Sequence, residues 1–116
     1  MKNYEDMSDF EINKAVALIV GVTFNDDGAP VRFVECDTGS YGDFNEIEFD
    51  PCNNPEDAEP IIIENRIGTI PAPDNGLWKA AHRKIGNDDT PYHFTKDKNP
   101  LRAAMIVFLK MNEDKL

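Results

Sequence analysis

Asn99-Pro100-Leu101-Arg102-Ala103-Ala104-Met105-Ile106-Val107-Phe108-Leu109-Lys110-Met111 is the stretch whose reading decides the fold. Asn99 is suited to cap the first backbone N–H groups of a helix, and Pro100 fits the first helical position, where its missing N–H would have had no partner. Good helix formers continue to Met111. Leu101, Ala104, Met105, Phe108 and Met111 make one stripe, but Ile106, Val107 and Leu109 lie off it, leaving Arg102 and Lys110 as the main polar marks. A helix this apolar is either central to the core of its own chain or shared with another subunit. Burial within the monomer is the first expectation, and a structural homodimer through this helix is the alternative.

Two more helix starts lie upstream. In Met7-Ser8-Asp9-Phe10-Glu11-Ile12 the Ser8 hydroxyl can cap, Glu11 completes a capping box, and Met7 can staple to Ile12. Apolar residues recur from there to Gly21, a natural stop, so a helix is predicted over Asp9 to Val20. Asn54 and Pro55 open another helix, with Glu56 and Asp57 at the positive end of its dipole. Pro60 predicts a kink or restart before the helix continues to about Asn65.

Strands fill the gaps. Val31 to Cys36 is rich in β formers, and Asn45 to Asp50 alternates polar and apolar residues, so the two are predicted to pair as a hairpin across the Asp37 to Gly42 turn. Phe24 starts an irregular stretch before the Asn25-Asp26-Asp27-Gly28 turn. Arg66 to Ile70 and Leu77 to Lys84 are predicted strands separated by a Pro-rich loop, and Tyr92-His93-Phe94 is a short final one. The expected class is α+β: a small antiparallel or mixed sheet of four or five strands against about three helices, in the order α-β-β-α-β-β-(β)-α. At 116 residues one domain, residues 1–116, is expected.

The net charge of −10 is unevenly spread. Between Phe24 and Asn65 stand 12 acids and a single base, Arg32, while the rest of the chain is nearly neutral. Such a segment repels phosphates, which disfavours direct nucleic-acid binding. It suits docking on a basic protein instead. The longest strongly apolar run, Ala103 to Leu109, is far short of the roughly 18 to 20 residues that cross a bilayer. No signal-peptide core follows Met1, and a cytoplasmic location is expected. Cys36 and Cys52 are the only cysteines and form no CxxC pair, so neither a disulfide framework nor a thiolate zinc site is expected.

Three blocks carry a resemblance: Ser8-Asp9-Phe10-Glu11-Ile12-Asn13, Cys52-Asn53-Asn54-Pro55-Glu56-Asp57-Ala58-Glu59-Pro60-Ile61-Ile62, and Asn99-Pro100-Leu101-Arg102-Ala103-Ala104-Met105-Ile106-Val107-Phe108-Leu109. Together with the Trp78 strand they resemble the NinX-type family of small bacteriophage and prophage proteins. Gly21 to Pro51 and Ile85 to Tyr92 match least. The resemblance implies a phage or prophage protein in a bacterial cytoplasm, and it brings no catalytic residues with it. Glu59 stands where the family pattern implies an aromatic.

Catalytic signatures are weak. Asp37-Thr38-Gly39-Ser40 has the local form of an aspartic-protease motif, but Glu35 and Cys36 precede it in place of apolar strand residues, and a turn is the better reading. The same segment lacks the oxygen donors of an EF-hand. His82 and His93, the only histidines, have no metal-ligand spacing, and neither serine sits in a GxSxG elbow. No catalytic residue, metal site or cofactor is expected. The leading expectation is a non-enzymatic protein-interaction domain that docks on a basic host or phage protein through Glu46, Glu48, Glu56, Asp57 and Glu59. An alternative is a small-anion-binding protein or enzyme that uses the Asn99 helix start with Arg102, flanked by Lys96 and Lys98. Asn53, Asn54 and Trp78 are further binding candidates, Trp78 as a recognition aromatic or as core.

Overall fold

In the computed structural model, which describes residues 3–35, 44–72, 76–82 and 93–115, the first helix, α1 (Asp9–Val20), starts and stops where its residues require. The Ser8 hydroxyl oxygen accepts from the Glu11 N–H at 3.1 Å and donates to the Glu11 carboxylate at 3.2 Å. At the other end Gly21 takes φ +85°, and its N–H reaches the Ala17 carbonyl at 2.9 Å. A side chain there would strain this left-handed position. Ile12, Val16 and Ala17 form the buried stripe.

A three-stranded antiparallel sheet follows: β1 (Thr23–Phe24), β2 (Pro30–Glu35) and β3 (Phe44–Glu48), in the order β1-β2-β3. The irregular stretch expected at Phe24 is therefore an edge strand. It is set by an Asx turn in which Asn25 Oδ1 accepts from the N–H groups of Asp27 and Ala29, both at 3.0 Å. Two residues are too few to show alternation, so no periodicity could announce it.

The second helix, α2 (Pro55–Glu64), is capped by Asn54, whose Oδ1 accepts from the Glu56 N–H at 3.0 Å. No restart occurs at Pro60, and α2 runs through it. Pro60 and Glu56, whose carbonyl would have received the missing bond, are both exposed, so water can replace that bond.

The second sheet is also antiparallel: β4 (Gly68–Pro71), β5 (Trp78–His82) and β6 (His93–Asp97), in the order β4-β5-β6. Two sheets of three strands thus replace the single sheet of four or five that the sequence suggested. Strand patterns reveal which face is apolar but not which strands pair. The Asp37-Thr38-Gly39-Ser40 motif, Cys36, the Asp37 to Gly42 turn, Arg83 and Lys84 of the predicted Leu77 to Lys84 strand, and Tyr92 lie outside the described residues.

The last helix, α3 (Pro100–Met111), is the core. It packs on β5 and β6 and also touches α1 and α2, while β2 of the first sheet contacts α1. Every residue from Ala103 to Leu109 is buried within the chain. Side chains of this kind contribute about 1.5–3 kcal/mol each when fully buried. The first expectation for the helix therefore holds from Ala103 to Leu109, where the off-stripe residues Ile106, Val107 and Leu109 are buried within the chain.

Candidate functional site

The three blocks that carry the family resemblance meet at one polar junction. Arg102, in the first turn of α3, has a side chain only 13% exposed. Its Nη1 lies 2.6 Å from Asp9 Oδ1 at the start of α1, and its Nε lies 3.1 Å from Asp97 Oδ2 at the end of β6. Nη2 donates to the Met7 carbonyl at 2.7 Å and the Glu5 carbonyl at 3.2 Å. Burial pulls the Arg102 pKa down, but the bonds to Asp9 and Asp97 outweigh it and hold the pKa above its ordinary value.

Asn99 works from the same turn. Its Oδ1 accepts from the N–H groups of Leu101 and Arg102 at 2.9 and 3.3 Å, and its Nδ2 donates to the Cys52 carbonyl at 2.6 Å and Asn53 Oδ1 at 3.2 Å. Asn53 in turn donates to Asp9 Oδ2 at 3.1 Å and to both Asp50 oxygens at 3.2 Å. Behind them the buried Asn13 donates to Asp50 Oδ1 at 2.7 Å and accepts from the Cys52 N–H at 3.2 Å. Burial, reinforced by Asp9, pushes the Cys52 thiol up to about 12 against the pull of Arg102, which leaves it an unreactive core group.

In the structure Asp97, Asp9, Met7 and Glu5 take four of the five N–H donors of Arg102, and the N–H groups of Leu101 and Arg102 are capped by Asn99, so the groups expected to hold an anion are engaged mainly within the chain. Asn53, Asn99 and Arg102 are brought together as a clamp holding α1, the segment before α2, and α3. Asn54 caps α2 separately. Trp78, on β5 opposite Asp97 and Pro71, is 36% exposed, so it is neither fully core nor fully presented.

The acids separate into two groups. Asp57 has a side chain only 2% exposed; its Oδ1 lies 2.7 Å from Arg32 Nε and its Oδ2 accepts from the Asp50 N–H at 3.0 Å. It belongs to the interior and is withdrawn from the expected docking set. Glu56, at 79% exposure, pairs with Arg32 Nη2 at 3.1 Å. Glu46, Glu48 and Glu59 are exposed and make no ion pair among the described residues. Glu46 keeps one long contact, accepting from Asn25 Nδ2 at 3.4 Å.

Glu46 and Glu48 sit on β3 opposite Phe33 and Val31 of β2. Phe33 is 56% exposed and its neighbour Val34 37% exposed. Adjacent strand residues point to opposite faces, so both faces of the β2–β3 ribbon meet solvent at this level. The sequence singled out Glu46 and Glu48 but missed Phe33. Its only signal was a β-forming run, which looks the same for a core strand and for a ribbon standing off the core.

Among the described residues no group of three or more His, Cys, Asp or Glu is placed to hold a metal ion, and no helix is long and apolar enough to cross a membrane. The family model described as Bacteriophage P22, NinX matches residues 3–112, and so spans the Gly21 to Pro51 stretch that seemed least alike. No curated protein matches the chain.

Proposed function

The chain belongs to the Bacteriophage P22 NinX family, and we propose that this phage protein acts as a non-enzymatic docking domain whose β2–β3 ribbon receives a basic segment of a host or phage protein in the bacterial cytoplasm. The observation that carries the reading is the exposed Phe33 set directly opposite the exposed Glu46, which makes no ion pair among the described residues, with Glu48 two residues along the same face. An aromatic anchor beside carboxylates fits Lys or Arg side chains, whose stems pack on the ring while the charged heads reach the acids.

β3 is also an edge of its sheet among the described residues, which suits an extended partner segment lying alongside it. Glu59 on α2 adds to the local negative potential that steers such a partner. The experiment is a pull-down from host lysate at low and moderate salt with wild-type protein and with Glu46→Gln/Glu48→Gln and Phe33→Ser variants. A partner that is basic, salt-sensitive and lost from both variants is expected. A partner retained equally by all three proteins would sink the proposal.

A further inference from the structure

The antiparallel register of β5 and β6 sets His82 directly opposite His93, although ten residues separate them in sequence. Their rings stack with centroids 6.4 Å apart and planes 24° from parallel. Directly opposed side chains leave the sheet from Cβ atoms only about 4.5–5.5 Å apart. Modest side-chain rotation therefore brings one nitrogen of each ring to a common point at the roughly 2.0–2.1 Å of a metal–imidazole bond.

His82 Nδ1 is buried and has no hydrogen-bond partner among the described residues, a rare condition for a buried polar atom. A neutral imidazole nitrogen is a common ligand of transition metals. His93 lines an open depression with Glu5, Thr95, Lys96 and Lys110, which gives an ion a route from solvent. Glu5 is held by Lys110 at 3.0 Å, so among the described residues the donor set is the two imidazoles.

We propose that His82 and His93 form a two-imidazole chelate for a borderline divalent transition ion, with Zn2+ and Cu2+ as its natural occupants and its remaining coordination positions left to water. Nitrogen donors select such ions over Mg2+ and Ca2+, which take oxygen ligands. The bound ion clips β5 to β6 across the sheet, on a different part of the fold from the acidic ribbon. The inference departs from the expectation that neither histidine ligates metal, because it rests on strand register rather than spacing.

The test is a ZnCl2 titration of wild type, His82→Gln and His93→Gln, followed by the histidine Cε1–H resonances and by thermal unfolding. One equivalent of Zn2+ is expected to move both wild-type resonances together and raise the Tm, with reversal by EDTA and no effect of MgCl2. Losing a direct ligand should weaken binding at least about tenfold, the lower bound for disturbing even an outer-shell partner. If either variant fails to fold, Cu2+ bound to wild type decides by electron paramagnetic resonance, where coupling to two nitrogens is the expected pattern. Zn2+ moving only one histidine, binding unchanged in both variants, or Cu2+ coupled to fewer than two nitrogens would overturn the proposal.

Discussion

Replacing Arg102 by Met should destabilise the protein strongly. Met keeps the aliphatic stem but leaves Asp9 and Asp97 without their cation and two carbonyls without their donor. Breaking a fully buried pair by removing one partner costs about 3–5 kcal/mol. Asp9 is 44% and Asp97 21% exposed at the side chain, so water screens part of the exposed charge and the expected loss falls to about 2–4 kcal/mol. Unfolding entropy of about 2.1 cal/mol/K per residue makes each kcal/mol worth roughly 4 °C in a chain of this length, so the Tm should fall by about 8–16 °C.

Circular dichroism during thermal and urea unfolding measures this directly. Arg102→Lys should lie between the two, since an ammonium cannot span the same forked set of acceptors. Lys110→Met is the control: its pair with Glu5, at 3.0 Å, is more exposed, and its loss should cost less than about 1 kcal/mol. An Arg102→Met variant as mild as Lys110→Met would refute the internal clamp and reopen Arg102 as a ligand-facing cation.

Other outcomes follow from the same geometry. Asn99→Ala loses a helix cap and the bonds to Cys52 and Asn53, and should cost about 2–3 kcal/mol by urea unfolding, against about 1 for Asn54→Ala, which loses a cap alone. Asp57→Asn should cost about 2–4 kcal/mol because it removes the buried carboxylate facing Arg32 Nε, which leaves Arg32 only the exposed Glu56, whereas Glu56→Gln should cost less than about 1 kcal/mol and leave the fold intact. Alkaline titration should show stability falling between pH 9 and 12. The Cys52 thiol is raised from 9.0 to about 12 and the Tyr4 hydroxyl from 10.0 to about 12, Tyr4 mainly by burial and then by the charge of Glu113. Both folded values lie above the unfolded ones, so the stabilisation is complete below pH 9 and is lost as pH rises; Tyr4→Phe should flatten the upper part, from pH 10 to 12.

Helix positions were legible because their signals are local. Ser8, Asn54 and Asn99 each satisfy N–H groups two or three residues ahead, and Gly21 supplies its own backbone angle. The central place of α3 could be read from the apolar residues off its stripe. The pairing of β2 with β3 could also be read, from two β-forming runs on either side of a turn, but the register that sets Phe33 opposite Glu46 and His82 opposite His93, and the sheet each strand joins, could not. The same non-locality hid the state of the charges. Asp57 and Glu56 are adjacent and chemically alike, yet one faces Arg32 in the interior and the other faces water. Arg102 read as an available cation because Asp9, its partner, lies 93 positions away.

Whether the acidic ribbon is the docking surface is read by titration calorimetry of the captured partner against three proteins: wild type, Glu46→Gln/Glu48→Gln, and Glu64→Gln, on α2. The account predicts that the ribbon variant binds about tenfold or more weakly, a loss of about 1.4 kcal/mol, that the α2 variant stays within about threefold of wild type, and that the difference shrinks as salt rises. Equal affinity for wild type and the ribbon variant would contradict it.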